Sequence, residues 1–123
     1  MVEGIGVDVV EIHRIKDVIQ RWESGFLEKV FTPDELHYAQ SKSDPVPHLA
    51  ARFAVKEAVA KALSTGWSGG FRWKDVEVRN DPSGKPSVTL SGKTRDLLKG
   101  SKVLVSLSHS DNVVVAFAII EST

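Results

Sequence analysis

The chain has 123 residues, 41% of them hydrophobic and 26% charged. That suits one compact domain spanning residues 1–123 and excludes a disordered polymer. Lys+Arg and Asp+Glu number 16 each, for a formal net charge of +0, so no nucleic-acid and no membrane partner recognised through bulk charge is expected. The absence of cysteine rules out a disulfide scaffold, a thiol nucleophile and Cys-ligated zinc. No apolar run approaches the roughly 18 residues that span a bilayer, and the N-terminus lacks a signal-peptide pattern. A soluble, cytoplasmic protein is expected.

Residues 5–10, Ile-Gly-Val-Asp-Val-Val, read as a β-branched strand interrupted by Gly6 and Asp8. A helix follows, because Ile12, Ile15, Val18, Ile19 and Trp22 recur at steps of three and four. Gly25 marks its stop. Thr32-Pro33-Asp34-Glu35 carries a capping residue, a proline at the first helical position and the Glu of a capping box. Phe31 and Leu36 are placed for a hydrophobic staple. A further helix is expected from about Pro47 to about Leu63. Beyond it Trp73–Arg79 and Ser87–Leu90 read as strands around the turn Asn80–Gly84, and Thr94–Lys99 as a short helix. Lys102–Ser108 and Val113–Ile120 read as apolar strands joined by a hairpin loop. Helices segregated from hairpin-linked strands predict an α+β fold with a mostly antiparallel sheet.

Three residues sit oddly for a plain core. The helix over 47–63 is apolar nearly all round, which predicts a central, buried element, yet it carries Arg52, Lys56, Glu57 and Lys61. Glu57 and Lys61 share a face, which fits either an exposed ion pair or a functional pair. Asp8 interrupts a strand, where a carboxylate faces water at an edge or needs a partner or cation. If Asp8 and Glu57 converge, two carboxylates with open positions suit Mg²⁺ beside a phosphate. His109 ends the run Ser106-Leu107-Ser108-His109, where a turn histidine is equally compatible. The other histidines, His13, His37 and His48, show no metal-site spacing. Gly4-Ile5-Gly6 is no dinucleotide fingerprint, and Gly66–Gly70 lacks the ending of a phosphate-binding loop.

Taken together, three segments are more specific. Gly4-Ile5-Gly6-Val7-Asp8 with Arg14 resembles the first signature of the 4′-phosphopantetheinyl transferases. The run Phe53–Ala62, with its Lys-Glu-Ala and following Lys-Ala, resembles the second, and Ser106–His109 resembles an element of the short bacterial members. Phe26–Thr32 and Gly84-Lys85-Pro86 also fit, so the likeness covers almost the whole chain. Ser64 and Trp67 depart from it, standing where glycine and a smaller apolar residue are expected.

The resemblance implies a 4′-phosphopantetheinyl transferase-like fold and transfer of phosphopantetheine from coenzyme A to a serine of apo acyl carrier protein. By that analogy Asp8 and Glu57 hold Mg²⁺, and Glu57 and Lys61 are catalytic. Arg52, Lys61, Ser108 and His109 bind coenzyme A, Arg52 serving its 3′-phosphate. The acidic carrier protein docks on the first helix through Arg14, Val18, Arg21 and Trp22. Members of this length also resemble homotrimers with sites at subunit interfaces. The competing readings are a Mg²⁺-dependent phosphoesterase using the same carboxylates, a non-catalytic coenzyme A- or carrier-binding module, and a regulatory or assembly protein in which the trimer is the function.

Overall fold

In the computed structural model, which describes residues 1–22, 24–64 and 69–122, the chain begins with strand β1 (Val2–Glu11). Helices α1 (Ile12–Trp22), α2 (Ser24–Val30), α3 (Pro33–Gln40) and α4 (Pro45–Ala62) follow. The second half holds strands β2 (Val76–Asn80) and β3 (Pro86–Leu90), the short helix α5 (Gly92–Asp96), and strands β4 (Lys102–His109) and β5 (Val113–Glu121). All strand pairs are antiparallel: β5 lies between β1 and β4, and β2 and β3 form a separate hairpin. The fold is the expected α+β arrangement, with its strands divided between two sheets.

Helix α4 is the axis of the molecule. Its residues Ala50, Ala54, Val55, Ala58 and Val59 are fully buried, and it packs on β1, β5, β2, β4, α1 and α3. Asp44 caps it, its carboxylate accepting from the Val46 N–H at 3.2 Å, and Pro45 occupies the first turn, where a missing N–H costs nothing. The small residues at 50, 51, 54, 58, 60 and 62 let neighbouring elements approach on several sides.

The capping box on α3 is complete. Thr32 Oγ1 accepts from the Glu35 N–H at 3.2 Å, and Glu35 Oε1 accepts from the Thr32 N–H at 2.9 Å. Phe31 is fully buried with Leu36 against its cluster, as the staple requires.

Three elements differ from expectation. Gly25 lies within α2, a helix the sequence reading did not contain, and Phe26 there stacks edge-on to Phe31 at 5.9 Å. Aromatic burial outweighs the helix-breaking tendency of the glycine. Trp73–Asp75 form a single 3-10 turn instead of the start of a strand, closed by the Asp75 N–H on the Arg72 carbonyl at 3.1 Å. Thr94 then holds Asp75, its hydroxyl donating to Asp75 Oδ2 at 3.0 Å. Finally, α5 starts at Gly92, earlier than expected, and the chain turns out of it through left-handed Lys99 and Gly100. The expected departure at Trp67 lies outside the described residues. Among the described residues, no helix is long and apolar enough to cross a membrane.

Candidate active site

The site begins with two absent side chains. Alternate residues of β1 face α4, and two of these are Gly4 and Gly6. A Cβ on Gly4 would lie 2.1 Å from the Ala62 carbonyl oxygen, and one on Gly6 1.9 Å from that of Ala58. No real side chain tolerates such distances, so strand and helix touch backbone to backbone. The pairing Gly4–Ala62, Gly6–Ala58 also shows that α4 runs back along β1. Asp8 is the next residue on that face, with only 15% of its side chain exposed.

Helical side chains lean toward the helix N-terminus, which carries Lys61 forward along β1 toward Asp8. Its ammonium donates to the Val7 carbonyl at 3.1 Å and pairs with Asp8 Oδ1 at 3.0 Å. Lys61 is thus tied across to the strand, and the Glu57–Lys61 spacing places a third charge at the same spot. Glu57 is half-buried. Burial, then the negative charge of Asp8, hold its carboxyl above the usual glutamate range, with Lys61 pulling it partly back. The structure therefore brings Asp8, Glu57 and Lys61 together although 49 residues separate the two carboxylates in sequence.

Mutual repulsion of two half-buried carboxylates is the strain that a divalent cation relieves. The donors are oxygens only, which suits a hard cation, and the described residues hold no cluster of three or more ligating side chains. Two carboxylates with remaining positions for water and phosphate oxygens fit Mg²⁺ better than zinc or calcium.

A second group gathers elsewhere. A cavity of about 270 Å³ is lined by Tyr38, His48, Arg52, Asn80, Gly84 and His109, among others. Arg52 is 4% exposed. Its Nη2 donates to Asn80 Oδ1 at 2.8 Å and its guanidinium lies 4.2 Å from the Tyr38 ring centroid. Its Nε is buried with no hydrogen-bond partner, and burial lowers its pKa from the ordinary arginine value. A buried cation with an unused donor beside a cavity is a ready anion site. Arg52 and His109 both line this cavity. Ser108 does not join them: it lies on the exposed outer face of the sheet, opposite Val115 of β5.

Arg14, Val18, Arg21 and Trp22 follow one stripe of α1. Arg14, Arg21 and Trp22 are exposed, and Arg14 pairs with Glu11 at 3.3 Å.

Beneath both groups lies a polar core the sequence reading did not isolate. The side chains of Lys56 and Glu35 are fully buried and paired at 2.8 Å. Lys56 also donates to the carbonyls of Trp73 at 3.0 Å and Val76 at 2.5 Å, so all three ammonium protons are used. Glu35 Oε2 accepts from the Val78 N–H at 2.9 Å. Burial lowers the pKa of Lys56, with Glu35 opposing the shift. The sequence signal was available: Lys56 directly precedes Glu57 on a helix with no polar face.

This fold and these signature residues define a class. Residues 4–118 match the family model of the 4′-phosphopantetheinyl transferase superfamily, and the chain belongs to that superfamily. Its relatives within it include holo-[acyl-carrier-protein] synthases. A holo-[acyl-carrier-protein] synthase of Protochlamydia amoebophila is 46% identical over 119 residues, covering 97% of this chain and 98% of the relative. The crystal structure of the Neisseria meningitidis holo-[acyl-carrier-protein] synthase superposes with a TM-score of 0.90 at 34% identity, covering 99% of this chain and 100% of that one. The Bacillus anthracis enzyme, solved in complex with CoA (3′,5′-ADP), gives a TM-score of 0.85 at 34% identity, covering 100% of this chain and 99% of that one.

Proposed function

We propose that residues 1–123 form one domain that transfers the 4′-phosphopantetheine group from coenzyme A to a serine of apo acyl carrier protein. Adenosine 3′,5′-bisphosphate is the other product. The observation that carries this reading is the convergence of Asp8, Glu57 and Lys61 where β1 and α4 touch, in a chain of this superfamily. The nucleotide bound to the Bacillus anthracis relative supports coenzyme A as co-substrate.

The serine hydroxyl oxygen attacks the β-phosphorus of the pyrophosphate, the bond to the bisphosphate leaving group breaks, and the hydroxyl proton is released with the bisphosphate. In this reading Asp8 and Glu57 hold Mg²⁺. When bound, that cation neutralises pyrophosphate charge and acts as a Lewis acid on a phosphoryl oxygen. Lys61 meets the charge that grows on the leaving phosphate. Arg52 and His109 take the 3′-phosphate, the one anionic group of coenzyme A away from the pyrophosphate. Ser108, on the outer sheet face, reaches the coenzyme only where another copy covers that face.

Two features support a homotrimer with shared sites. Ile5, Val7 and Val9 of β1, Leu104 of β4, and Val115 and Phe117 of β5 form an exposed apolar face on one sheet, of the kind that marks an interface. Arg52 and Glu57 also point to different sides of α4, roughly 140° apart around its axis. One copy then presents the metal carboxylates and its neighbour the phosphate cavity. The carrier protein docks on α1 through Arg14, Val18, Arg21 and Trp22, and the enzyme works in the cytoplasm.

Incubation with coenzyme A, Mg²⁺ and apo carrier protein, read by intact mass, tests the reaction. The expected result is a carrier heavier by one phosphopantetheine arm. Coenzyme A cleaved with the carrier unmodified would point to hydrolysis instead. Docking is tested by Arg14→Glu, which should raise the KM for the acidic carrier about 10-fold at low salt, with the defect shrinking as salt rises. An unchanged KM removes α1 as the docking face.

A further inference from the structure

His48 lies in the same cavity as Arg52, one helical turn before it on α4, and His109 enters from β4. The spacing of His48 in the sequence pointed to no role. The half-buried imidazole is packed edge-on to Tyr38 of α3, ring centroids 5.9 Å apart. The charged groups facing it are Lys42 and Asp44 from the connection before α4, Arg52 from α4 itself and His109 from β4. Cations outnumber the single acid, so these neighbours disfavour the protonated imidazole. Burial is the largest cause, followed by Lys42 and Arg52, and its pKa falls below the ordinary histidine value.

A dianion placed in the cavity beside the Arg52 guanidinium reverses that balance. It adds negative charge to a cavity whose other groups repel a proton from His48, and it supplies an acceptor for a second N–H. Resting on the coenzyme A reading above, we propose that His48 is a further recognition residue for the 3′-phosphate, binding it in the imidazolium form and taking up a proton as the cavity fills. Arg52 supplies permanent charge, and His48 supplies charge only when the ligand is present. Affinity for coenzyme A therefore rises as pH falls through the bound-state value of His48 and levels off below its free-state value.

Calorimetric titration of coenzyme A and of dephospho-coenzyme A, at about pH 6 and about pH 8, tests this on wild type, His48→Gln and His48→Arg. The phosphate itself protonates near pH 6, so the comparison between variants is what counts. His48→Gln should weaken coenzyme A binding about 10-fold near pH 6 and less than about 2-fold near pH 8. His48→Arg should bind near pH 8 at least as tightly as wild type, because its charge no longer depends on ligand. Dephospho-coenzyme A should show no dependence on residue 48. Wild type should also take up protons on binding coenzyme A near neutral pH, seen as a binding heat that varies with buffer ionisation enthalpy, and His48→Gln should take up fewer. Equal affinities and equal proton uptake in wild type and His48→Gln overturn the role of His48 while leaving the transferase reading intact. A wild-type chain that binds no coenzyme A at either pH overturns both.

Discussion

Lys56 and Lys61 lie five residues apart on α4, and each ammonium ends on a carboxylate carried by another element. Lys56 meets Glu35 with both side chains wholly buried, inside a network that also uses two carbonyls and two backbone N–H groups. Lys61 meets Asp8 with more than half of its side chain in solvent. The first pair has no spare donor and no opening, so it can only hold α3, α4 and the start of β2 in place. The second is half open and sits beside a strained carboxylate, Glu57. Its weak attachment is what a phosphate ligand needs, because an ammonium locked as firmly as Lys56 could not be shared. Under the proposed function, one helix carries an architectural charge and a working charge, and the difference is set by solvent access.

The largest effect on that comparison should come from breaking the buried pair. Lys56→Ala leaves Glu35 charged without its partner and should cost about 3–5 kcal/mol, read by urea denaturation. Replacing both partners, Lys56→Met with Glu35→Leu, should recover a large part of that loss.

Next comes Glu57→Gln. Transfer to the carrier should fall at least about 100-fold while the folded state survives. The raised pKa of Glu57 fixes the sign of its effect on stability. Its folded-state value lies above the unfolded one, so the folded form gains relative stability below the unfolded value and loses it as pH rises through the raised one. Thermal melts across that window should show wild type falling relative to Glu57→Gln as pH increases. A constant gap would mean that Glu57 carries no buried charge.

Lys61→Ala should lower kcat about 10- to 100-fold and raise the KM for coenzyme A only modestly, because its charge matters most as the leaving group departs. Lys61→Arg should recover part of the loss. The stability cost should stay under about 1 kcal/mol for a pair so exposed. An unchanged kcat would make the Lys61–Asp8 contact as structural as the Lys56–Glu35 one.

The smallest effect lies one turn further on. Ser64 follows the end of α4 with φ at 56°, the left-handed conformation that favours glycine. Ser64→Gly should raise stability by about 1 kcal/mol and leave turnover unaltered, since it relieves the helix end without touching either lysine.

Much of this was legible beforehand, for reasons that differ by residue. The capping box, the central helix and the terminal hairpin are written in short-range spacing, and they formed where the spacing put them. Asp8 stood out because a carboxylate in a β-branched strand demands an explanation. Helix α2 was hidden by Gly25, since the aromatic contact that overrides it is made with a distant part of the chain, Phe53, as well as with Phe31. The Lys56–Glu35 pair was hidden for a similar reason. Glu35 already had a local role in the cap, and nothing in sequence distance hinted at a partner 21 residues on. His48 was passed over because it was weighed only as a metal ligand, whereas its neighbours shift its titration.

The contact between β1 and α4 has one more consequence. The direction in which Gly6 lacks a side chain holds a hydrogen in place of Cβ, aimed at the Ala58 carbonyl oxygen. Gly4 presents another to Ala62 in the same way. These are carbon donors in weak hydrogen bonds, each worth about 0.5–1 kcal/mol, and they tie the strand to the helix through main chain alone. The distance between Asp8 and Glu57 is therefore gauged by two alkyl hydrogens. In an NMR spectrum those two glycine α-protons become direct reporters of whether the carboxylates are still in register.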